Sequence, residues 1–186
     1  MNFEIDIVLQ KADAKELSAL ITGFTPSRVQ LIDNWMYENE ISLGETIPDC
    51  HAEHIDSGKI LQVYGALAEG RSCGFFVYKD SGAYRFDMFF ECDNANVDTR
   101  YVTEKNVDIY DSAADFITSK LADFGLTEAV LGCEMLVSRE GSIKERVMAS
   151  HNPAMWIIAD LAEHIEGFTS EIKDKYTVLK RKETNL

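Results

Sequence analysis

Two apolar runs separated by a short polar turn restrict the fold of this chain more than any other feature. Residues 73–78 and 84–91 carry Phe75, Val77, Phe86, Met88 and Phe90, and Asp80, Ser81 and Gly82 between them supply turn chemistry. The pattern predicts an antiparallel hairpin. Its phenylalanines Phe75, Phe76, Phe86, Phe89 and Phe90 include members on both faces. Either a helix covers one face while the other makes an interface, or the sheet is buried on both sides.

Other strands follow from the same period. Phe3, Ile5, Ile7 and Leu9 alternate with polar neighbours and predict a first strand, and residues 60–67 and 131–138 predict two more. Residues 96–103 read as a further strand, 143–148 as a strand or a short helix, and 176–179 as a last edge strand.

Four helices are expected. Asp13 and Glu16 have capping-box spacing ahead of Leu17, Leu20 and Ile21, which places a helix at 14–22. Thr25 and Pro26 open a second at 26–38, with Val29, Ile32, Trp35 and Met36 on one face, although 29–32 also suits a short strand. Ser112 and Asp115 open a third that ends before Gly125. Asn152 and Pro153 start a fourth at 153–166, with Trp156, Ile157, Leu161 and Ile165 as its apolar face and Gly167 as its stop. The expected fold class is α+β: an antiparallel or mixed sheet with about four helices packed on one or both faces.

A chain of 186 residues with 46% hydrophobic content has material for one substantial core, so residues 1–186 are read as a single domain whose basic C-terminal segment, from about residue 173, is exposed or frayed. Leu17, Ile21, Gly23, Phe24 and Thr25 recur as Leu161, Ile165, Gly167, Phe168 and Thr169. Shared use of glycine to end a helix explains most of that echo. The N-terminus has acids inside its first apolar stretch, unlike a secretory signal. Cys50, Cys73, Cys92 and Cys133 form no CxxC pair, which suits buried thiols in a reducing, cytoplasmic compartment.

Charge is the strongest global property. Thirty-two acids against 18 lysines and arginines give a formal net charge of −14. Such a field repels nucleic-acid phosphates and anionic membranes and draws in basic proteins. The expected partner is therefore a basic protein, such as a nuclease or toxin. The chain would be its immunity or inhibitor protein, or a DNA-mimicking antagonist, and homo-oligomerisation is left open.

Between Arg28 and Lys59 there is no lysine or arginine, whereas Asp33, Glu38, Glu40, Glu45, Asp49, Glu53 and Asp56 all fall there. With Trp35 and Tyr37 as apolar contacts, this run is the candidate protein-binding face.

The same run holds a second candidate. Cys50, His51 and His54 are types that ligate a transition metal, and histidines three residues apart converge on a helical turn. They lack the HExxH spacing of a zinc hydrolase. A small metal-dependent hydrolase using His51 and His54 is thus the first alternative function. A structural or small-ligand-binding domain with an aromatic-lined pocket is the second. No nucleophile elbow, phosphate loop or dinucleotide fingerprint occurs, and no cofactor is expected.

Overall fold

The computed structural model describes residues 3–11, 30–36, 41–42, 55–58, 60–66, 72–80, 83–124 and 126–183. The chain divides into two compact units. An N-terminal unit comprises Val8–Glu91, and a C-terminal unit comprises Cys92–Leu186 together with Met1–Ile7.

In the N-terminal unit, β5 (Ser72–Asp80) and β6 (Ala83–Cys92) form the expected hairpin, in register from Cys73 opposite Phe90 to Asp80 opposite Ala83. Its β5 side continues antiparallel through β4 (Leu61–Ala66), β2 (Gln30–Met36) and the two-residue β3 (Ile41–Ser42). Alternation explains the hairpin. Val77, Tyr84, Phe86 and Met88 are buried. The opposite positions in the pleat hold Phe76, Tyr78, Arg85, Asp87 and Phe89. Phe76 and Phe89 approach to 6.1 Å between ring centroids.

The C-terminal unit contains both α-helices found among the described residues, α1 (Val107–Phe124) and α2 (Ile143–Ala149). Its sheet runs β7 (Glu128–Leu136), β8 (His151–Ala159), β10 (Tyr176–Arg181), β9 (Phe168–Lys173), and β1 (Phe3–Lys11) enters the unit beside β7. The β7, β8, β10 and β9 pairings are antiparallel. One face carries Val130, Trp156, Ile158 and Leu179, which pack with Val147 of α2 and with Ile165 and Phe168. α1 packs on β7 and β8, burying Tyr110, Ala114, Ile117 and Leu121 at helical spacing. Ser142 starts α2 with a full capping box: its hydroxyl accepts from the Glu145 amide at 3.3 Å, and Glu145 Oε2 accepts from the Ser142 amide at 2.7 Å.

This arrangement corrects the expectation of about four helices packed on the sheet: the fold is mixed α+β, with two α-helices wholly among the described residues. Residues 153–166 are not a helix but strand β8 and the loop after it. Residues 153–158 are buried without a break, and a helix on a sheet hides only one stripe whereas a strand covered on both faces hides every residue. Asn152 does not cap a helix; it is the second residue of β8, with a φ of 63° beside the register shift. Pro153 sits opposite Gly132 at a register shift, where a missing amide hydrogen is tolerated. A side chain on Gly132 would bring its Cβ to 2.8 Å from the Asn152 carbonyl oxygen, so glycine is required by the close approach.

The helix expected at 26–38 is replaced by β2, and the one at 14–22 lies outside the described residues. Residues 96–103 form a 3-10 turn and loop rather than a strand. β10 lies inside the sheet, and β9 is the edge. Residues 161–167 are a loop and 168–169 begin β9, so the sequence echo there does not mark a second helix. No described helix is long and apolar enough to cross a membrane.

Candidate functional site

The acidic face and metal cluster expected from sequence fall mostly outside the described residues: Tyr37, Glu38, Glu40, Glu45, Asp49, Cys50, His51, Glu53 and His54 all do so. Asp33 and Trp35 lie in β2, where Asp33 pairs with Tyr64 and Trp35 with Gln62. Asp56 follows the fully buried Ile55, both helical, just before a turn at 57–58. Its Oδ1 accepts from Lys79 Nζ at 2.6 Å and from the Tyr84 hydroxyl at 2.5 Å, while the Lys79 cation lies 5.3 Å from the centre of the Tyr84 ring. The hydrogen bonds from Lys79 and Tyr84 hold the Asp56 carboxyl below its ordinary value, and burial followed by the Asp56 contact pushes Tyr84 up. Asp56 therefore fastens the turn to the hairpin, and Lys79 balances its charge.

A second polar group lies across the same hairpin. Tyr78 donates to Asp87 Oδ2 at 2.7 Å, beside the buried Arg85. Burial pushes the Asp87 carboxyl up, against the opposing effects of the Tyr78 hydrogen bond and Arg85. Among the described residues, no group of three or more His, Cys, Asp or Glu side chains is placed to hold a metal ion. His151 and His164 are exposed, and Cys92 and Cys133 are buried, their thiols donating to the carbonyls of Asn94 and Val97.

The C-terminal unit contains a cleft that sequence reasoning missed. One wall is the loop at 94–106, which Asn106 organises from an almost fully buried position. Its Nδ2 donates to the carbonyls of Asn96 at 2.6 Å and Tyr101 at 3.1 Å, and its Oδ1 accepts from the Thr103 amide at 2.8 Å. The Val102 amide then donates to the Arg181 carbonyl at 3.0 Å, tying the loop to the end of β10. The cleft, open to solvent, has a volume of about 710 Å³, with Thr103, Lys105, Thr169, Lys180, Arg181 and Lys182 in its lining. Glu104 and Glu183 also line it, and among the described residues no aromatic side chain does.

The cations in this region divide into two groups. Lys180 pairs with Asp111 of α1 at 2.6 Å and with Glu171 at 3.2 Å, and Lys173 pairs with Asp115. These contacts bind part of the basic C-terminal segment to α1. By contrast, Lys105, Arg181 and Lys182 make no ion pair among the described residues. The Arg181 guanidinium lies 5.2 Å from the centre of the Phe168 ring, and that of Arg100 lies 5.0 Å from the Tyr101 ring. Burial, reinforced by the neighbouring Arg100, lowers the pKa of Arg181.

The only local sequence signal for this cleft was the cluster of bases near the C-terminus. Asn106 and Thr103 carry no period or motif, because their roles arise from contacts made after the loop folds back on β10. Comparison with known proteins finds no family model and no curated protein that matches the chain.

Proposed function

We propose that the chain is a non-catalytic, cytoplasmic binding protein that presents an anionic surface to a basic protein partner, in the manner of an immunity or inhibitor protein facing a nuclease or toxin. The observation that carries this reading is the one-signed distribution of charge. Arg28 and Lys59 enclose seven acids and no lysine or arginine, within a chain of net charge −14. The loop after β8 repeats the pattern on a smaller scale, exposing Asp160, Glu163 and Glu166 with no lysine or arginine between residues 160 and 167. Carboxylates arranged this way speed encounter with a cationic surface and disfavour anionic competitors.

The test begins with native capture of a stoichiometric partner, followed by association rates across a salt series. Charge reversal at Glu38, Glu45 and Glu53 is expected to slow association much more than reversal at Asp160, Glu163 and Glu166. Equal losses, or a larger loss from the second set, reject residues 33–56 as the steering face. Recovery of no stoichiometric basic protein under several native conditions rejects the reading as a whole.

A further inference from the structure

We propose that the cleft between the loop at 94–106 and the ends of β9 and β10 binds a small phosphorylated molecule through Lys105, Arg181 and Lys182. This site is built from other residues than the proposed protein-binding run and has the opposite charge preference.

Three observations converge on it. First, a volume of about 710 Å³ falls within the range of roughly 300–1,000 Å³ that accommodates small-molecule ligands. Second, its cations differ from others in the unit. Arg146, Lys173 and Lys180 are matched to carboxylates, whereas Lys105, Arg181 and Lys182 reach the cleft without an ion-pair partner among the described residues. Arg181 is partly removed from water and faces the like charge of Arg100, a cost that an entering anion relieves. Third, the walls are fastened. Asn106 holds the loop, Val102 anchors it to Arg181, and the Lys182 amide donates to the Gly167 carbonyl at 3.0 Å. Cations on a fixed frame lose less entropy on binding than cations on a mobile tail.

The same features restrict the ligand's size. A phosphate concentrates its charge on one group and accepts paired hydrogen bonds from a guanidinium, with the neighbouring lysines as point charges. Glu104 and Glu183 share the lining, and the surrounding protein carries a net charge of −14. A long polyanion would meet those acids and the repulsive field beyond, whereas the attraction of the cleft is screened over about 8 Å at physiological salt. The occupant is thus a small phosphate ester or diphosphate, not a nucleic acid.

Titration of the full chain with inorganic pyrophosphate, followed calorimetrically and by thermal unfolding, tests the assignment. Saturable binding with Kd below about 1 mM is expected, with a rise in Tm that sodium chloride of matched ionic strength does not reproduce. Arg181→Gln is expected to weaken binding at least about tenfold. Because Arg181 also packs on Phe168, the double variant Lys105→Gln/Lys182→Gln provides a second readout, with a similar loss of affinity and an unchanged Tm in the absence of pyrophosphate. Absence of saturable binding, or unchanged affinity in the folded double variant, overturns the assignment. Tighter binding of a single-stranded oligonucleotide than of pyrophosphate overturns the small-ligand choice.

Discussion

In the β5–β6 hairpin, Val77, Tyr84, Phe86 and Met88 line one buried face, while the other combines the half-buried Phe76, Tyr78, Asp87 and Phe89 with the buried Arg85, so polar groups share that face with aromatic rings. In β8, residues 153–158 are all buried, with α1 on one face of the sheet and α2 and the Ile165 loop on the other. The contrast governs where each unit keeps its polar groups. The hairpin holds Asp87 within the sheet, where the Tyr78 hydroxyl and Arg85 partly offset its burial. The doubly covered sheet moves charge to its margins, where Glu128 pairs with Arg146 and Lys180 with Asp111. Carboxyl groups consequently shift in opposite directions. Burial raises Asp87, whereas hydrogen bonds from the Ser142 backbone and hydroxyl lower Glu145 in the capping box.

The largest effect expected from this contrast is at the centre of the C-terminal sheet. Trp156 is fully buried among Val130, Ile158, Leu179 and Phe168, so Trp156→Ala should destabilise by about 3–5 kcal/mol. Phe89→Ala, at a partly buried hairpin position, should cost clearly less. Denaturant unfolding of both variants measures the difference, and equal losses would remove the distinction between the fully buried strand β8 and the half-buried face of the hairpin.

A smaller effect is expected at the sheet margin. Arg146 donates to both Glu128 oxygens, at 2.8 and 2.5 Å, in a setting where both side chains are less than one-fifth exposed. Arg146→Met should cost about 1.5–3 kcal/mol because it leaves Glu128 without its charged donor. A loss no larger than that from an exposed surface substitution would show that the pair is solvated and that charge at the margin contributes little.

The subtlest effect is a change of slope with pH. The folded Asp87 carboxyl has a pKa raised above the ordinary 3.8, so the folded state retains its proton longer than the unfolded chain. Its contribution to stability therefore falls as pH rises from about 4 through that raised value. Asp87→Asn removes this titration while leaving an oxygen to accept from Tyr78. The stability of the variant relative to the parent should rise with pH across that interval. Glu145 has the reverse sign: its contribution is present above the ordinary 4.5 and fades as pH falls through its lowered value. Unfolding measured from about pH 3 to pH 7 checks both. A parallel pair of curves for Asp87→Asn and parent would mean that Asp87 is as well solvated folded as unfolded.

Sequence by itself determined the hairpin, strands β1, β4 and β7, and the acidic charge of the chain. β7 is legible as a short apolar run, whereas in β1 and along the buried face of the hairpin alternation survives in a linear reading because the period of a strand is local. It could not determine β8, where Asn152 and Pro153 carry a helix-start signature and the following residues are apolar without alternation. Only the coverage of both sheet faces favours the strand. The same limit hid the cleft. Asn106 and Arg181 lie far apart along the chain, and the Val102 amide meets the Arg181 carbonyl only after the loop is laid against β10. Sequence recorded a cluster of bases near the C-terminus; tertiary structure decided that Lys173 and Lys180 pair with α1 while Lys105, Arg181 and Lys182 remain to line a cavity. Ion pairing depends on which charges folding brings within a few ångströms, and composition cannot specify that proximity.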